Sequence, residues 1–148
     1  AALAPVYTHY FELQNALTID DFAQAQISAK GIVESLSAVD MKVFKGDDHT
    51  LWMQQAKQLS TASESMVASE EIEALRTAFG TASAAILVLE KQFGHSGEMK
   101  YYEAHCPMAF DNKGGNWLQT LEVVKNPFFG SSMLNCGSIE NTFAGVEQ

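Results

Sequence analysis

Along residues 1 to about 93, apolar positions recur at helical spacing. Val6, Tyr10, Leu13 and Leu17 stand four, three and four residues apart, behind Pro5, which suits a first helical turn where a missing N–H costs nothing. A second segment opens at Asp20-Asp21, helix-start residues by capping and by the helix dipole, and carries Phe22, Ala25, Ala29, Ile32, Leu36 and Val39 on one face. Gly46-Asp47-Asp48 interrupts the pattern, which resumes with Trp52, Ala56, Leu59, Ser63 and Met66. Ser69-Glu70-Glu71 is the next start signal. It leads into Ile72, Leu75, Phe79, Ala82, Ile86, Leu89 and Phe93, the most regular seam in the chain. Four amphipathic segments with short links predict an all-α fold, an antiparallel four-helix bundle whose core is built from these stripes.

From Gly94 the character changes. Gly94-His95-Ser96-Gly97 reads as a turn and Met99-Lys100-Tyr101-Tyr102 has strand-like composition. Cys106-Pro107, Asn112-Lys113-Gly114-Gly115-Asn116, Asn126-Pro127 and Gly130 then punctuate a loop-rich segment with short elements. Trp117, Leu118, Leu121, Val123, Val124, Phe128 and Phe129 are the residues expected to dock it on the bundle, with Asn112 to Asn116 an exposed loop free to move. The expectation is one domain over 1–148, with a bundle over about 1–93 and a Cys/Met-containing segment over about 94–148.

Composition narrows the function classes. The 148 residues are 47% apolar and 18% charged, which excludes a disordered chain. Nine Lys and Arg against 18 Asp and Glu give a net charge of −9, which argues against nucleic acid or anionic lipid as partners. The longest unbroken apolar run is six residues, Ala84 to Leu89, whereas a membrane helix needs about 20, so no direct membrane span is predicted. The start at Ala1 reads as a processed or trimmed form, and Ala2-Leu3-Ala4 has the small-x-small look of a signal-cleavage remnant. There is no glycine-rich phosphate loop, no Cys-x-x-Cys and no His-Glu-x-x-His, and the chain is not read as an enzyme.

Candidate chemistry gathers in the tail. His105, Cys106 and Met108 lie within four residues, and Met133 and Cys136 are three apart, the spacing that puts two side chains on one face of a helical turn. If the two segments meet, two thiolates and two thioethers converge with an imidazole alongside. Such a soft set suits Cu(I), and by extension Ag(I), better than hard cations or zinc. A disulfide closing a loop of about 30 residues, or two inert core thiols, would use the same cysteines, and the residues leave all three open. His9, His49 and His95 read as solvated or satisfied and not as ligands, with an exposed adventitious site at His49 and His95 left as the alternative.

Cys106-Pro107-Met108-Ala109, Trp117-Leu118, Asn126-Pro127-Phe128-Phe129-Gly130 and Met133-Leu134-x-Cys136-Gly137 together resemble a bacterial exported family called domain of unknown function 3347. Tyr10-Phe11-x-Leu13-x-x-Ala16-Leu17 with Asp20-Asp21 resembles its opening, and Arg76-x-x-Phe79 its fourth-helix signature. Phe128 stands where the family usually has Tyr, and His105 is not a fixed part of the pattern. The resemblance implies a helical, periplasmic or exported domain, found alone or fused to periplasmic adaptor (membrane-fusion) subunits of copper and silver efflux systems. It implies Cys106, Met108, Met133 and Cys136 as ligands, and Asn126 to Gly130 reads as scaffold, a rigid turn that places Phe residues on the bundle and fixes the ligand turn that follows. The expected function is a periplasmic soft-metal-binding domain for Cu(I) or Ag(I), an accessory or adaptor part of a heavy-metal efflux system. The rival is a non-catalytic interaction module with a structural Cys106–Cys136 disulfide and no metal.

Overall fold

The four apolar stripes form four helices. The computed structural model describes residues 2–146. It places α1 over Ala4–Thr18, α2 over Phe22–Ser37, α3 over Asp47–Ala68 and α4 over Ile72–Phe93. Pro5 lies in the first turn of α1. Asp21 caps α2, its carboxylate accepting from the Gln24 N–H at 3.0 Å. Asp20, expected to share that role, instead adopts a positive φ of 59° and turns its carboxylate to Arg76 of α4 at 2.7 Å.

Consecutive helices run antiparallel. Gln26 near the start of α2 donates to the Ser69 carbonyl at the end of α3, at 2.8 Å. Gln92 at the end of α4 donates to Asp48 at the start of α3, at 3.1 Å. Along the seam of α4, Leu75, Phe79, Ala82, Ile86 and Leu89 are all fully buried, and Phe79 stacks on Tyr10 of α1 with ring centroids 5.3 Å apart. By length and composition alone α4 is apolar enough to cross a membrane, but in this fold that apolar surface is core.

The tail corrects the all-α expectation. Tyr101–Cys106 is strand β1, Gly115–Gln119 is β2 and Ser138–Phe143 is β3, forming an antiparallel sheet in the order β2-β1-β3. The punctuating residues are the turns between these strands. Local composition hid the third strand because Ser138–Phe143 carries no fully buried side chain and no apolar alternation, so what defines it is pairing with β1. Asn112 to Asn116 is likewise not one mobile loop: Gly115 and Asn116 belong to β2, opposite Cys106 and His105.

Two buried contacts seat the sheet on the bundle. The Tyr10 hydroxyl accepts from the Leu118 N–H at 3.1 Å and shares a hydrogen bond with Ser83 Oγ at 2.8 Å; burial raises its phenol above the ordinary range. Trp117, Leu118 and Phe128 dock as expected, and Phe128 meets Phe79, Phe110 and Trp117 edge-on. Leu121 and Val123 do not dock, being 52% and 62% exposed. Their loop is held through its backbone instead, the Gln119 amide donating to the Leu121 and Val123 carbonyls at 2.6 and 2.8 Å, which leaves both side chains outside.

Candidate functional site

Cys106 ends β1. Side chains alternate along a strand, so Ala104 and Cys106 face one side while Glu103 and His105 face the other. Cys106 is wholly buried. Cys136 follows the single 3₁₀ turn Gly130–Met133, its N–H donating to the Met133 carbonyl at 3.1 Å, and it is partly exposed. Gly137 comes next at a φ of +129°, and a Cβ there would stand 2.5 Å from the His105 carbonyl oxygen. Only glycine lets this backbone pass so close to β1. The result is a Cys106–Cys136 sulfur separation of 3.1 Å between two free thiols. The Cys136 thiol is held above its ordinary range, first by its hydrogen bond with Cys106 and then by burial.

Asn126 builds the support for this pair, and it is fully buried. Its Oδ1 accepts from the N–H groups of Phe128 and Phe129 at 2.8 and 3.0 Å, and its Nδ2 donates to the Cys136 carbonyl at 2.8 Å. Its own N–H donates to the Leu134 carbonyl at 2.6 Å, and its carbonyl accepts from Gly130 N–H at 3.0 Å. The Asn-Pro-Phe-Phe-Gly turn and the cysteine turn are thus tied through one side chain. Arg76 fixes the same turn to the bundle: its Nε donates to the Pro127 carbonyl at 2.9 Å, and its Nη2 to the Leu17 carbonyl at 2.8 Å and to Asp20. Ser131 also donates to Asp20, and hydrogen bonds from Ser131 and Arg76 hold the Asp20 carboxyl below the usual range. Gly130 sits at φ +60°, where a Cβ would come within 2.9 Å of the Leu17 carbonyl.

The other expected ligands occupy different parts of the tail. Met133 is half-buried at the head of the Cys136 turn. Met108 is 45% exposed and lines an open groove between α4 and the Gly130–Met133 turn, alongside Arg76, Phe110, Phe129 and Ser132. His105 points to the opposite face of the sheet from Cys106, where its Nδ1 meets Asn116 Oδ1 at 2.7 Å. The Asn116 amide donates to Glu103 and Glu140 at 2.6 and 3.0 Å, so its oxygen is the acceptor and His105 Nδ1 carries the proton. Among the described residues, no three His, Cys, Asp or Glu side chains stand together as a metal-holding group. The two cysteine sulfurs are the soft donors that the described residues bring together.

Between Cys106 and β2 the chain makes a left-handed turn. Phe110, Asp111 and Asn112 have φ values of 54°, 55° and 66°. Asp and Asn tolerate this region; for Phe110 it costs about 1–2 kcal/mol. The packing of its ring against Gly80 of α4 and against Gly115 and Phe128 offsets that cost.

Two polar clusters had no sequence signal. Glu103 is buried on the His105 face of the sheet, beside Lys91 of α4. Burial pushes its carboxyl up, but hydrogen bonds from Asn141, Asn116 and Lys91 outweigh that and hold it below the ordinary range. At the end of α4, Glu90 Oε2 meets His95 Nδ1 at 2.6 Å, and His95 Nε2–H donates to the Met99 carbonyl at 2.6 Å. The imidazole stacks on Tyr101 with centroids 3.5 Å apart. His95 is therefore buried and engaged at both nitrogens, a satisfied histidine as expected, and it is not available for an exposed adventitious site with His49.

No curated protein and no solved structure matched the chain. A family match covers residues 6–98, which spans the helices from α1 to the turn after α4 and stops short of β1 and both cysteines. That match covers more than half of the 148 residues, and the chain belongs to the family described as protein of unknown function (DUF3347).

Proposed function

We propose that the Cys106–Cys136 pair is a soft-metal site for Cu(I), with Ag(I) as its chemical surrogate, in a domain that captures or hands over the ion without turnover. The observation that carries this reading is the 3.1 Å approach of two free thiols supplied by separate segments. As thiolates they would be a pair of soft donors, the ligand type that selects Cu(I). An ion held between the two sulfurs would open the pair from its 3.1 Å approach. Cys136, in a turn and partly exposed, is the side free to give; Cys106 is fixed in a strand paired on both edges. Met133, on the adjoining turn, and Met108, on the groove rim, are the residues that would add thioethers. His105 would take no part at this centre.

The accessory role beside an exported heavy-metal efflux system, with its adaptor subunit as partner in the periplasm, rests on the resemblance of the tail motifs. The same sulfur approach supports the rival reading, a structural disulfide in a non-catalytic interaction module, since the two sulfurs lie within about 1 Å of bonding distance. A thiol count on unreduced protein, together with a Cu(I) titration of reduced protein against a competing chelator, separates them. Two titratable thiols and tight Cu(I) binding that is lost in Cys106→Ser support the metal site. No free thiol before reduction and no retained Cu(I) after it support the disulfide.

A further inference from the structure

We propose that Cys136 is a thiol-exchange site: it takes the mixed disulfide when the reduced chain meets a small disulfide of the glutathione type, and Cys106 resolves it. This goes beyond the metal reading, because it needs the dithiol but no ion.

Access decides which sulfur reacts first. Thiol–disulfide exchange requires a sulfur to be approached in line by its partner, so an enclosed sulfur cannot be first. Cys106 is wholly buried beneath the turn, on a strand hydrogen-bonded on both edges. Cys136 is partly exposed, on a turn beside the solvent-exposed Asn135 and Gly137. An external disulfide therefore reaches Cys136 and not Cys106. Once Cys136 is derivatised, the only thiol positioned against its sulfur is Cys106, 3.1 Å away in the reduced pair. Asn126 and Gly137 keep the Cys136 backbone in place throughout, since neither contact involves the sulfur.

The steps balance with the disulfide as oxidant. The Cys136 thiolate attacks one sulfur of RSSR; that S–S bond breaks, a Cys136–SR bond forms, and RS⁻ leaves and takes up a proton. The Cys106 thiolate then attacks Cys136 Sγ, forming the Cys106–Cys136 bond and expelling the second RS⁻. The protein dithiol is oxidised and RSSR is reduced to two RSH. In the reverse direction an external thiolate attacks Cys136, so the same mixed disulfide lies on both routes.

The test uses the full chain, reduced and metal-free in the presence of a chelator, exposed to glutathione disulfide and followed by intact and peptide mass spectrometry. Wild type should pass through a glutathionyl adduct on Cys136 to a species lacking two hydrogens. Cys106→Ser should accumulate the Cys136 adduct, and Cys136→Ser should react about tenfold or more slowly. An adduct on Cys106 in wild type, or equal rates in the two Ser variants, overturns the proposal. Limiting iodoacetamide on reduced wild type needs no variant: Cys136 should be alkylated first, and equal or Cys106-first labelling overturns it. Failure of Cu(I) binding would leave these outcomes unchanged, and Cu(I) binding with exchange at Cys106 would contradict this proposal alone.

Discussion

The side-chain amide of Asn126 donates to the backbone carbonyl of Cys136 at 2.8 Å. Through this bond the Asn-Pro-Phe-Phe-Gly turn, itself anchored to α4 by Arg76, sets where the second cysteine meets the first. A buried amide with three hydrogen bonds cannot be shortened without leaving backbone groups unpaired, each costing about 1–3 kcal/mol. Asn126→Ala should therefore lower stability by about 3 kcal/mol in denaturant unfolding and slow closure of the Cys106–Cys136 bond under oxidant. A variant as stable as the parent would remove Asn126 from this role.

Phe79 joins the bundle to the tail, stacked on Tyr10 and edge-on to Phe128. Phe79→Ala should cost about 3–5 kcal/mol, measured by urea unfolding. A loss under about 1 kcal/mol would mean that this junction is not packed as described.

How much of this was legible in the sequence depends on range. The periodic stripes located the four helices because each is a local pattern, and the Ile72 to Phe93 seam coincides with α4. The scaffold role of the Asn-Pro-Phe-Phe-Gly turn was also readable, since Pro and Gly fix turns by their own backbone chemistry. Of the strands, β1 shows only at its start, in the strand-like composition of Met99 to Tyr102, and β3 does not show at all, because it is polar and exists through pairing with β1, 32 or more residues earlier in the chain. Asp20 looked like a cap because its distant partner Arg76 carries no local signal. His105 was grouped with Cys106 by proximity in sequence, yet neighbours in a strand face opposite ways, so recognising β1 would have separated them.

The carboxyls of Asp20 and Glu103 are both held below their ordinary range in the folded state. Their contribution to stability is therefore present above the unfolded values of about 4 and lost as pH falls through the lower folded values. Melting temperature should drop between about pH 5 and pH 2, and Asp20→Asn should flatten part of that drop. An unchanged acid profile in Asp20→Asn would show that the Arg76–Asp20–Ser131 link does not carry the effect.

The Gly130 turn offers a backbone test. At φ +60°, with the Leu17 carbonyl in the way of any Cβ, Gly130→Ala should destabilise by more than about 1 kcal/mol in thermal or urea unfolding. Neutrality would mean that the turn can relax away from α1.

Met108→Leu and Met133→Leu keep side-chain volume and should each cost under about 1.5 kcal/mol. If thioethers join the opened thiolate pair, the double variant should bind Cu(I) more weakly in a chelator competition while Zn(II) binding stays unchanged. Unchanged Cu(I) affinity would leave two cysteines as the whole site.

Whether the approach of Cys106 and Cys136 makes a thiophilic metal site is decided by competition titration of the reduced chain with Cu(I). One Cu(I) per chain should be held against the chelator, with affinity reduced at least about a hundredfold in both Cys106→Ser and Cys136→Ser. Cu(I) retained equally by the parent and by either serine variant, or not retained by the reduced parent, would contradict it.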